Sequence, residues 1–240
     1  MVRTEDVHRI NREFDKVVCI NLVNRPDKRK NMEAKFKELG ILVEWFNAVP
    51  YGFAPEIVNS LKPTVNDFPR FNTKTPNEFG AAMSHYTVIK TALLQGAERI
   101  FVFEDDVMFR KDFNDKFDRY MDALPGDWDM FLLYSFMYEL KPQNIRVNAK
   151  WMRSYLAWSL MSYGINKKGM EGYIADQDKM FQIADRASFK MQEKGFNIYS
   201  AVPTLCIPNQ ELGSNIRGEN MNYVNTNTVV NMGFSNENYE

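Results

Sequence analysis

Cysteine and histidine are both scarce in this sequence, with two of each among 240 residues. Two cysteines cannot form the disulfide framework of a small secreted protein, and Cys19 lies in the apolar stretch 17–20. We therefore expect buried free thiols. Two histidines also offer few nitrogen ligands, so a metal site in this chain has to rely on oxygen ligands.

The sequence has no long hydrophobic run and no excess of either charge. Thirty basic and thirty-one acidic residues give a formal net charge of −1, which excludes a uniformly basic nucleic-acid coat. The first sixteen residues are rich in charge and lack the apolar core of a signal peptide. No apolar stretch reaches membrane-spanning length. These absences predict a cytoplasmic protein without a transmembrane segment.

Apolar runs alternate with helix-period segments along the first 135 residues. Strands are predicted at 17–22, 41–46, 100–103 and 129–134, and helices at 27–39, 77–95 and 113–124. Residues 51–75 contain several prolines and no clear period, which predicts an irregular excursion over the sheet. The alternation predicts an α/β fold, with a mostly parallel sheet covered by helices on both faces.

The second half is less regular. A strand is predicted near 159–165, a helix near 168–175, and further helix through about residue 194. Beyond Pro208 the periodicity fades, and the last 32 residues contain nine asparagines, which indicates a loop-rich tail. With no repeat and no convincing linker, we expect a single domain.

Three consecutive carboxylates, Glu104, Asp105 and Asp106, follow the apolar run 100–103 directly. A buried parallel strand would place them at its carboxyl end, where α/β enzymes bind their ligands. Crowded carboxylates stay in water, take up protons or hold a cation. Their hard oxygens select Mn²⁺ or Mg²⁺ rather than zinc, and the alternative is a solvated acidic turn.

Several short motifs occur in a characteristic order: CINL at 19–22, RPDKR at 25–29, NAV at 47–49, EFG at 78–80 followed by Ser84 and His85, and FEDDV at 103–107. Together they resemble glycosyltransferase family 25, which includes lipooligosaccharide and collagen galactosyltransferases. The resemblance implies a GT-A type fold, a nucleotide-sugar donor such as a UDP-hexose, a divalent metal, and inversion at the anomeric carbon. Residues 1–135 would then form the donor and metal-binding half of the domain, and 136–240 the acceptor half and tail.

Donor chemistry needs positive charge opposite the departing diphosphate. Arg25 and Arg29 share a helix face and could grip the donor, or pair with acids such as Glu33. Asn21 could contact the base or cap the turn. The predicted donor-binding residues are Asn21, Arg25, Arg29, Ser84, His85, Glu104 and Asp105, and the predicted metal ligands are Asp106 and Glu104.

Inversion also requires a carboxylate base across the cleft. The candidates are Asp127, Asp129, Asp176, Asp178 and Glu211. Asp178 or Asp176 is preferred, because they lie near the position of an aspartate in the family that the chain resembles. Ser84 and His85 are not predicted to form a hydrolytic dyad, since adjacent helix residues point about 100° apart.

Residues 140–170 include six basic residues and no acidic one, with Trp151, Tyr155 and Trp158 interleaved. These aromatics could stack on an acceptor, namely a glycan, a protein or a polyanion such as DNA with a hydroxylated base, or they could be core residues. Two other classes stay open: a catalytically silent relative that binds sugar or a partner, and a different Mg²⁺ enzyme such as a phosphohydrolase or nuclease.

Overall fold

The computed structural model describes residues 7–50, 76–137, 140–179, 182–213 and 239. The helices are α1 Arg9–Glu13, α2 Pro26–Leu39, α3 Pro76–Leu94, α4 Phe113–Asp122, α5 Lys167–Lys179 and α6 Ala184–Glu193. The strands are β1 Lys16–Asn21, β2 Glu44–Asn47, β3 Arg99–Glu104, β4 Val107–Phe109, β5 Met130–Leu132, β6 Ile145–Arg146, β7 Trp151–Arg153, β8 Ser162–Asn166, β9 Ile198–Ala201 and β10 Cys206–Pro208. A short 3₁₀ turn covers Gln210–Leu212.

Eight strands form one sheet in the order β2-β1-β3-β8-β5-β9-β7-β6, and β4 pairs with β10 in a separate ribbon. Strand β1 is parallel to β2 and β3, whereas β8 is antiparallel to both β3 and β5. When the remaining pairings are followed across the sheet, all its strands except β7 and β8 run in one direction. The predicted α/β class with a mostly parallel sheet is confirmed.

The strands are buried on both faces because their alternate residues enter two different cores. In β3, Phe101 and Phe103 pack with α1, α2 and α4, while Ile100 and Val102 pack with α3, α5 and α6. An unbroken apolar run is what two covered faces require. Helices on both faces, as predicted, follow from this packing.

The early elements agree with the sequence prediction, including the end of α2 at Gly40, which adopts the left-handed conformation that favours glycine (φ 71°). The strands β4, β6, β7, β9 and β10 were not predicted, because runs of two to four residues carry too little periodicity. The excursion predicted at 51–75 and residues 214–238 of the tail lie outside the described residues.

The two predicted halves share one sheet. Strand β8, from the second half, lies between β3 and β5, both from the first half. The two cysteines, Cys19 and Cys206, are buried free thiols, as expected. In the part of the chain that the structure describes, no helix is long and apolar enough to cross a membrane. The cytoplasmic location stays a prediction.

The buried residue His8 should make the stability of the fold depend on pH. Its ring stacks on Phe113, and its Nδ1 accepts a hydrogen bond from the backbone N–H of Ile10 at the start of α1. Burial lowers the pKa of His8 from 6.5 to about 4. The unfolded chain therefore binds the proton first, and stability is lost as the pH falls through this window.

We expect His8 to lower the free energy of unfolding by on the order of 3 kcal/mol between pH 6.5 and pH 4. His8→Asn keeps an acceptor for Ile10 but cannot titrate, so its stability should change less over this range. Urea unfolding at a series of pH values measures the difference. Equal pH slopes for both proteins would contradict the assignment.

Candidate functional site

The acidic triplet lies where strand β3 ends. Glu104 is the last residue of β3, Asp105 and Asp106 form the following turn, and β4 begins at Val107. Because β1 pairs with β3 in parallel register, with Ile20 opposite Glu104, both strands end at the same edge of the sheet. The predicted position of the acids at a carboxyl edge is confirmed.

A cleft of about 190 Å³ opens at this edge, between the ends of β1 and β3, the segment after β2, and α3. Its lining residues are Ile20, Leu22, Asn24, Arg25, Ala48, Val49, Asn77, Ala81, Ser84, His85, Glu104, Asp105 and Asp106. Six predicted site residues are among them: Arg25, Ser84, His85, Glu104, Asp105 and Asp106. Residues that are distant in sequence thus meet in one cavity, whose lining includes both apolar side chains and carboxylates.

Glu104 is held by a buried histidine. Its Oε1 lies 3.1 Å from Nε2 of His85, and Nδ1 of His85 lies 3.0 Å from the hydroxyl of Tyr163 in β8. Burial raises the pKa of Tyr163 well above its ordinary value, so the hydroxyl keeps its proton. A carboxylate can only accept, so Nε2 donates to Glu104 and, in the neutral ring, Nδ1 accepts from Tyr163. The sequence analysis missed Tyr163.

Ser84 has a different role from its neighbour. Its hydroxyl donates to the carbonyl of Gly80, one helical turn earlier, and accepts from the backbone N–H of Val49. The hydroxyl therefore ties α3 to the segment after β2, while His85 turns towards Glu104. The two side chains do not meet, in agreement with the expectation from their helical positions.

Asp105 and Asp106 surround a lysine that the sequence analysis did not select. Nζ of Lys28, whose side chain is 0% exposed, lies 2.9 Å from Oδ2 of Asp106 and 3.4 Å from Oδ1 of Asp105. The other oxygen of Asp105 accepts from Nδ2 of Asn21 at 2.7 Å. A signal was present: Lys28 lies four residues before Met32 and eight before Phe36, on the buried face of α2.

The electrostatics of this group are set by burial and by Lys28. Burial raises the pKa of Asp106 to about 6, and the ammonium of Lys28 opposes the rise. Burial likewise raises the pKa of Asp105. Burial alone would lower the pKa of Lys28, but Asp106 and Asp105 outweigh it and raise that pKa. The lysine is therefore cationic, and above about pH 6 it faces the ionised carboxylate of Asp106.

The two predicted arginines differ in position. Arg25 lines the cleft, pairs with Asp27 at 2.7 Å and donates to the carbonyl of Leu212 at 2.8 Å. Arg29 pairs with Glu33 at 2.9 Å, and its guanidinium lies over the ring of Trp45. Arg29 is not among the cleft residues, and its pairing is the alternative considered from the sequence.

A late segment of the chain also reaches the acidic turn. The backbone N–H of Asn209 donates to the carbonyl of Asp106 at 2.6 Å, and Leu212 accepts from Arg25. The 3₁₀ turn Gln210–Leu212 is thus anchored beside the cleft.

Two of the five candidate bases, Asp127 and Asp129, lie away from the cleft. Asp127 and Asp129 precede β5, which runs in the same direction as β3, so they lie at the edge opposite Glu104. They serve local contacts there, Asp127 with Tyr199 and Asp129 with Lys168.

The other three candidates lie in α5 and in the 3₁₀ turn. Asp176 is buried and paired with Lys194. Asp178 is exposed and accepts a 2.5 Å hydrogen bond from the hydroxyl of Tyr86, the residue after His85 in α3. Glu211 is exposed in the 3₁₀ turn next to Leu212.

The aromatic residues predicted to bind the acceptor pack mainly within the protein. Trp151 is 0% exposed and donates from Nε1 to the carbonyl of Tyr120, so its ring has no face to offer an acceptor. Trp158 stacks on Phe136 at 6.2 Å and is partly buried, as is Tyr155. Trp151 is therefore a core residue, which is the alternative considered from the sequence.

A divalent cation was tested against the donor atoms available. Among the described residues, no three His, Cys, Asp or Glu side chains converge to form a metal cage. Magnesium-type sites that act on phosphates need only one or two carboxylates, because substrate phosphates complete the coordination. Glu104 and Asp106, both in the cleft, fit a cation shared with a diphosphate. Metal binding itself stays a prediction.

Fold and cleft define an α/β protein with an acidic site at the carboxyl ends of parallel strands, the usual ligand position in this fold class. The family model described as "Glycosyltransferase family 25 (LPS biosynthesis protein)" matches residues 14–184. The chain belongs to glycosyltransferase family 25.

Three relatives illustrate the similarity. Human "Inactive glycosyltransferase 25 family member 3" is 33% identical over 128 residues, 50% of this chain and 22% of that protein. "Glycosyltransferase 25 family member" of Drosophila melanogaster is 27% identical over 137 residues, 55% of this chain and 22% of that protein. "Procollagen lysyl hydroxylase and glycosyltransferase" of Acanthamoeba polyphaga mimivirus is 30% identical over 136 residues, 50% of this chain and 15% of that protein. The matched segment spans about a fifth of the first two relatives.

Tyr163→Phe should leave Nδ1 of His85 without its hydrogen-bond donor, while Glu104 still accepts from Nε2. We expect ¹⁵N NMR to show the Nε2-protonated ring in both proteins, with the resonance of the unprotonated Nδ1 shifted in the variant because its hydrogen bond is lost. The chain has two histidines, so His8→Asn assigns the signals. The lost partner should also cost about 1–3 kcal/mol of stability.

Tyr173→Phe is the matched control, because Tyr173 is also buried but its hydroxyl contacts Gln177. This variant should leave the His85 signals unchanged. A parent protein whose His85 carries its proton on Nδ1 would refute the hydrogen-bond assignment.

Proposed function

We propose that this chain is a metal-dependent, inverting glycosyltransferase that moves a sugar from a nucleotide-sugar, a UDP-hexose, to an acceptor hydroxyl. The proposal is carried by one observation. In a member of glycosyltransferase family 25, Arg25, His85, Glu104 and Asp106 converge on one cleft at the carboxyl edge of the sheet.

The acidic edge is suited to the diphosphate end of a donor. Glu104 and Asp106 would hold a Mn²⁺ or Mg²⁺ ion, which supplies positive charge to the leaving diphosphate. His85 orients Glu104 through its hydrogen bond, and Arg25 brings a permanent positive charge to the same cavity. The apolar residues Leu22, Ala48 and Val49 also line the cavity and would suit the flat face of a nucleobase.

The acceptor hydroxyl needs a base. Asp178 is proposed for this role, because it is an exposed carboxylate tied by Tyr86 to the helix that carries His85. Glu211, beside the chain segment that covers the acidic turn, is the alternative. The acceptor itself, whether a glycan, a protein or a hydroxylated nucleobase, stays a prediction.

A donor screen tests the activity. Purified protein with Mn²⁺ is incubated with several nucleotide-sugars, and mass spectrometry measures the released nucleoside diphosphate. We expect release from one UDP-hexose and its loss with a chelator. Asp106→Asn should lower the rate by roughly 100-fold or more, because one carboxylate of the metal pair is lost.

The fold should survive Asp106→Asn, since the amide oxygen can still accept from Lys28. The matched control is Asp115→Asn, at an exposed position on α4, which should keep full activity. Absence of turnover with every donor would contradict the proposal. Turnover without a metal ion would contradict the metal dependence alone.

The assignment of the base is tested separately. Asp178→Asn should reduce transfer to acceptor by roughly 100- to 10,000-fold while donor affinity is unchanged, because a base acts on the acceptor proton. Glu211→Gln is the comparison. If Glu211→Gln causes the loss and Asp178→Asn does not, Glu211 is the base.

A catalytically silent protein is the second candidate, favoured by the similarity to the human relative that is described as inactive. It predicts that a nucleotide-sugar binds in the cleft without turnover. Calorimetric binding with no product in the donor screen would select it.

A further inference from the structure

Lys28 is a cation built into the acidic turn. Its side chain is 0% exposed, and its ammonium contacts carboxylate oxygens of both Asp106 and Asp105. Lysine is almost never fully buried unless it is paired. The face of α2 that carries it continues with Met32 and Phe36, so the ammonium reaches the acids from inside the protein and not from the cleft.

The pairing of Lys28 with Asp105 and Asp106 compensates the cost of burying two carboxylates in the metal-free protein. Two adjacent carboxylates with little access to water are costly unless a positive charge or hydrogen bonds compensate them. Asn21 hydrogen-bonds one oxygen of Asp105, and Lys28 supplies the charge. The turn is therefore satisfied without any metal ion.

The same ammonium acts against a metal ion. It occupies Oδ2 of Asp106, the predicted metal ligand, and its charge repels a second cation nearby. A free divalent ion meets two cleft carboxylates, Glu104 and Asp106, with a resident cation behind one of them.

We propose that Lys28 is the resident counter-cation of the acidic turn formed by Asp105 and Asp106, and that it keeps this turn stable without metal and makes metal binding depend on a nucleoside diphosphate. The diphosphate adds the negative charge and the oxygen ligands that outweigh the repulsion from Lys28. This inference rests on the proposed function, because it takes Glu104 and Asp106 as the ligands. Lys28 is a positioning residue and touches no substrate.

The test measures Mn²⁺ binding and not turnover. At pH 8, electron paramagnetic resonance counts free Mn²⁺ in the presence of protein, with and without UDP. The parent protein should bind Mn²⁺ weakly alone and at least about tenfold more tightly with UDP. By reciprocity, UDP affinity should rise by the same factor when Mn²⁺ is present.

Lys28→Met removes the charge and keeps a similar apolar stem. We expect it to bind Mn²⁺ without UDP at least about tenfold more tightly than the parent does. Its thermal midpoint without metal should fall, and Mn²⁺ alone should restore it, whereas Mn²⁺ alone should not shift the parent. Lys30→Met, on the exposed face of the same helix, is the matched control and should behave as the parent does.

Lys28→Gln is the second variant if Lys28→Met does not fold, since it keeps a hydrogen-bond donor without the charge. No gain in Mn²⁺ affinity in the folded variants would overturn the inference. A parent protein that binds Mn²⁺ equally well with and without UDP would also overturn it, and this needs no variant. If the Lys28 variants gain Mn²⁺ affinity but no donor is turned over, the inference is supported and the proposed function fails. If a donor is turned over but the variants gain no Mn²⁺ affinity, the proposed function is supported and the inference fails.

Discussion

The parallel pairing of β1 with β3 is the constraint on which the site depends. It brings the end of β1, with Asn21 and the turn to α2, beside the end of β3, with the acidic triplet. Residues more than seventy positions apart, such as Lys28 and Asp106, can then be neighbours. Both strands are buried on two faces, so the register that sets these contacts is itself fixed by the two cores.

Three consecutive acids are not three equivalent charges in this fold. Glu104 faces His85, Asp105 faces Asn21 and Lys28, and Asp106 faces Lys28. Each carboxylate thus has its own set of partners, although Asp105 and Asp106 share Lys28. The partners come from β1, α2 and α3, which is why the triplet keeps a defined geometry despite its crowding.

Sequence patterns predicted the fold and six of the residues that line the cleft, for physical reasons that particular residues show. The run 100–103 and the acids after it indicate a buried strand and its open end, because both signals are local. Lys28 was not selected from the sequence, and only its spacing from Met32 and Phe36 on α2 indicates that it lies inside. For Trp151 the sequence left two interpretations open, an acceptor-binding ring or a core residue, and packing against Tyr120 and Phe131 buries the ring. Local patterns identify a residue's element, but only tertiary packing decides which side of the element is covered.

The position of β8 has a consequence for how the protein is made. During synthesis β3 and β5 leave the ribosome before residues 162–166, so each has an unpaired edge until β8 arrives between them. Two contacts near the acidic turn form only after residues 209–212 are synthesised. Asn209 then donates to the carbonyl of Asp106, and Leu212 accepts from Arg25. The acids of the turn are therefore translated early, yet their surroundings are completed late. Any event that delays or removes the last part of the chain acts directly on this cleft.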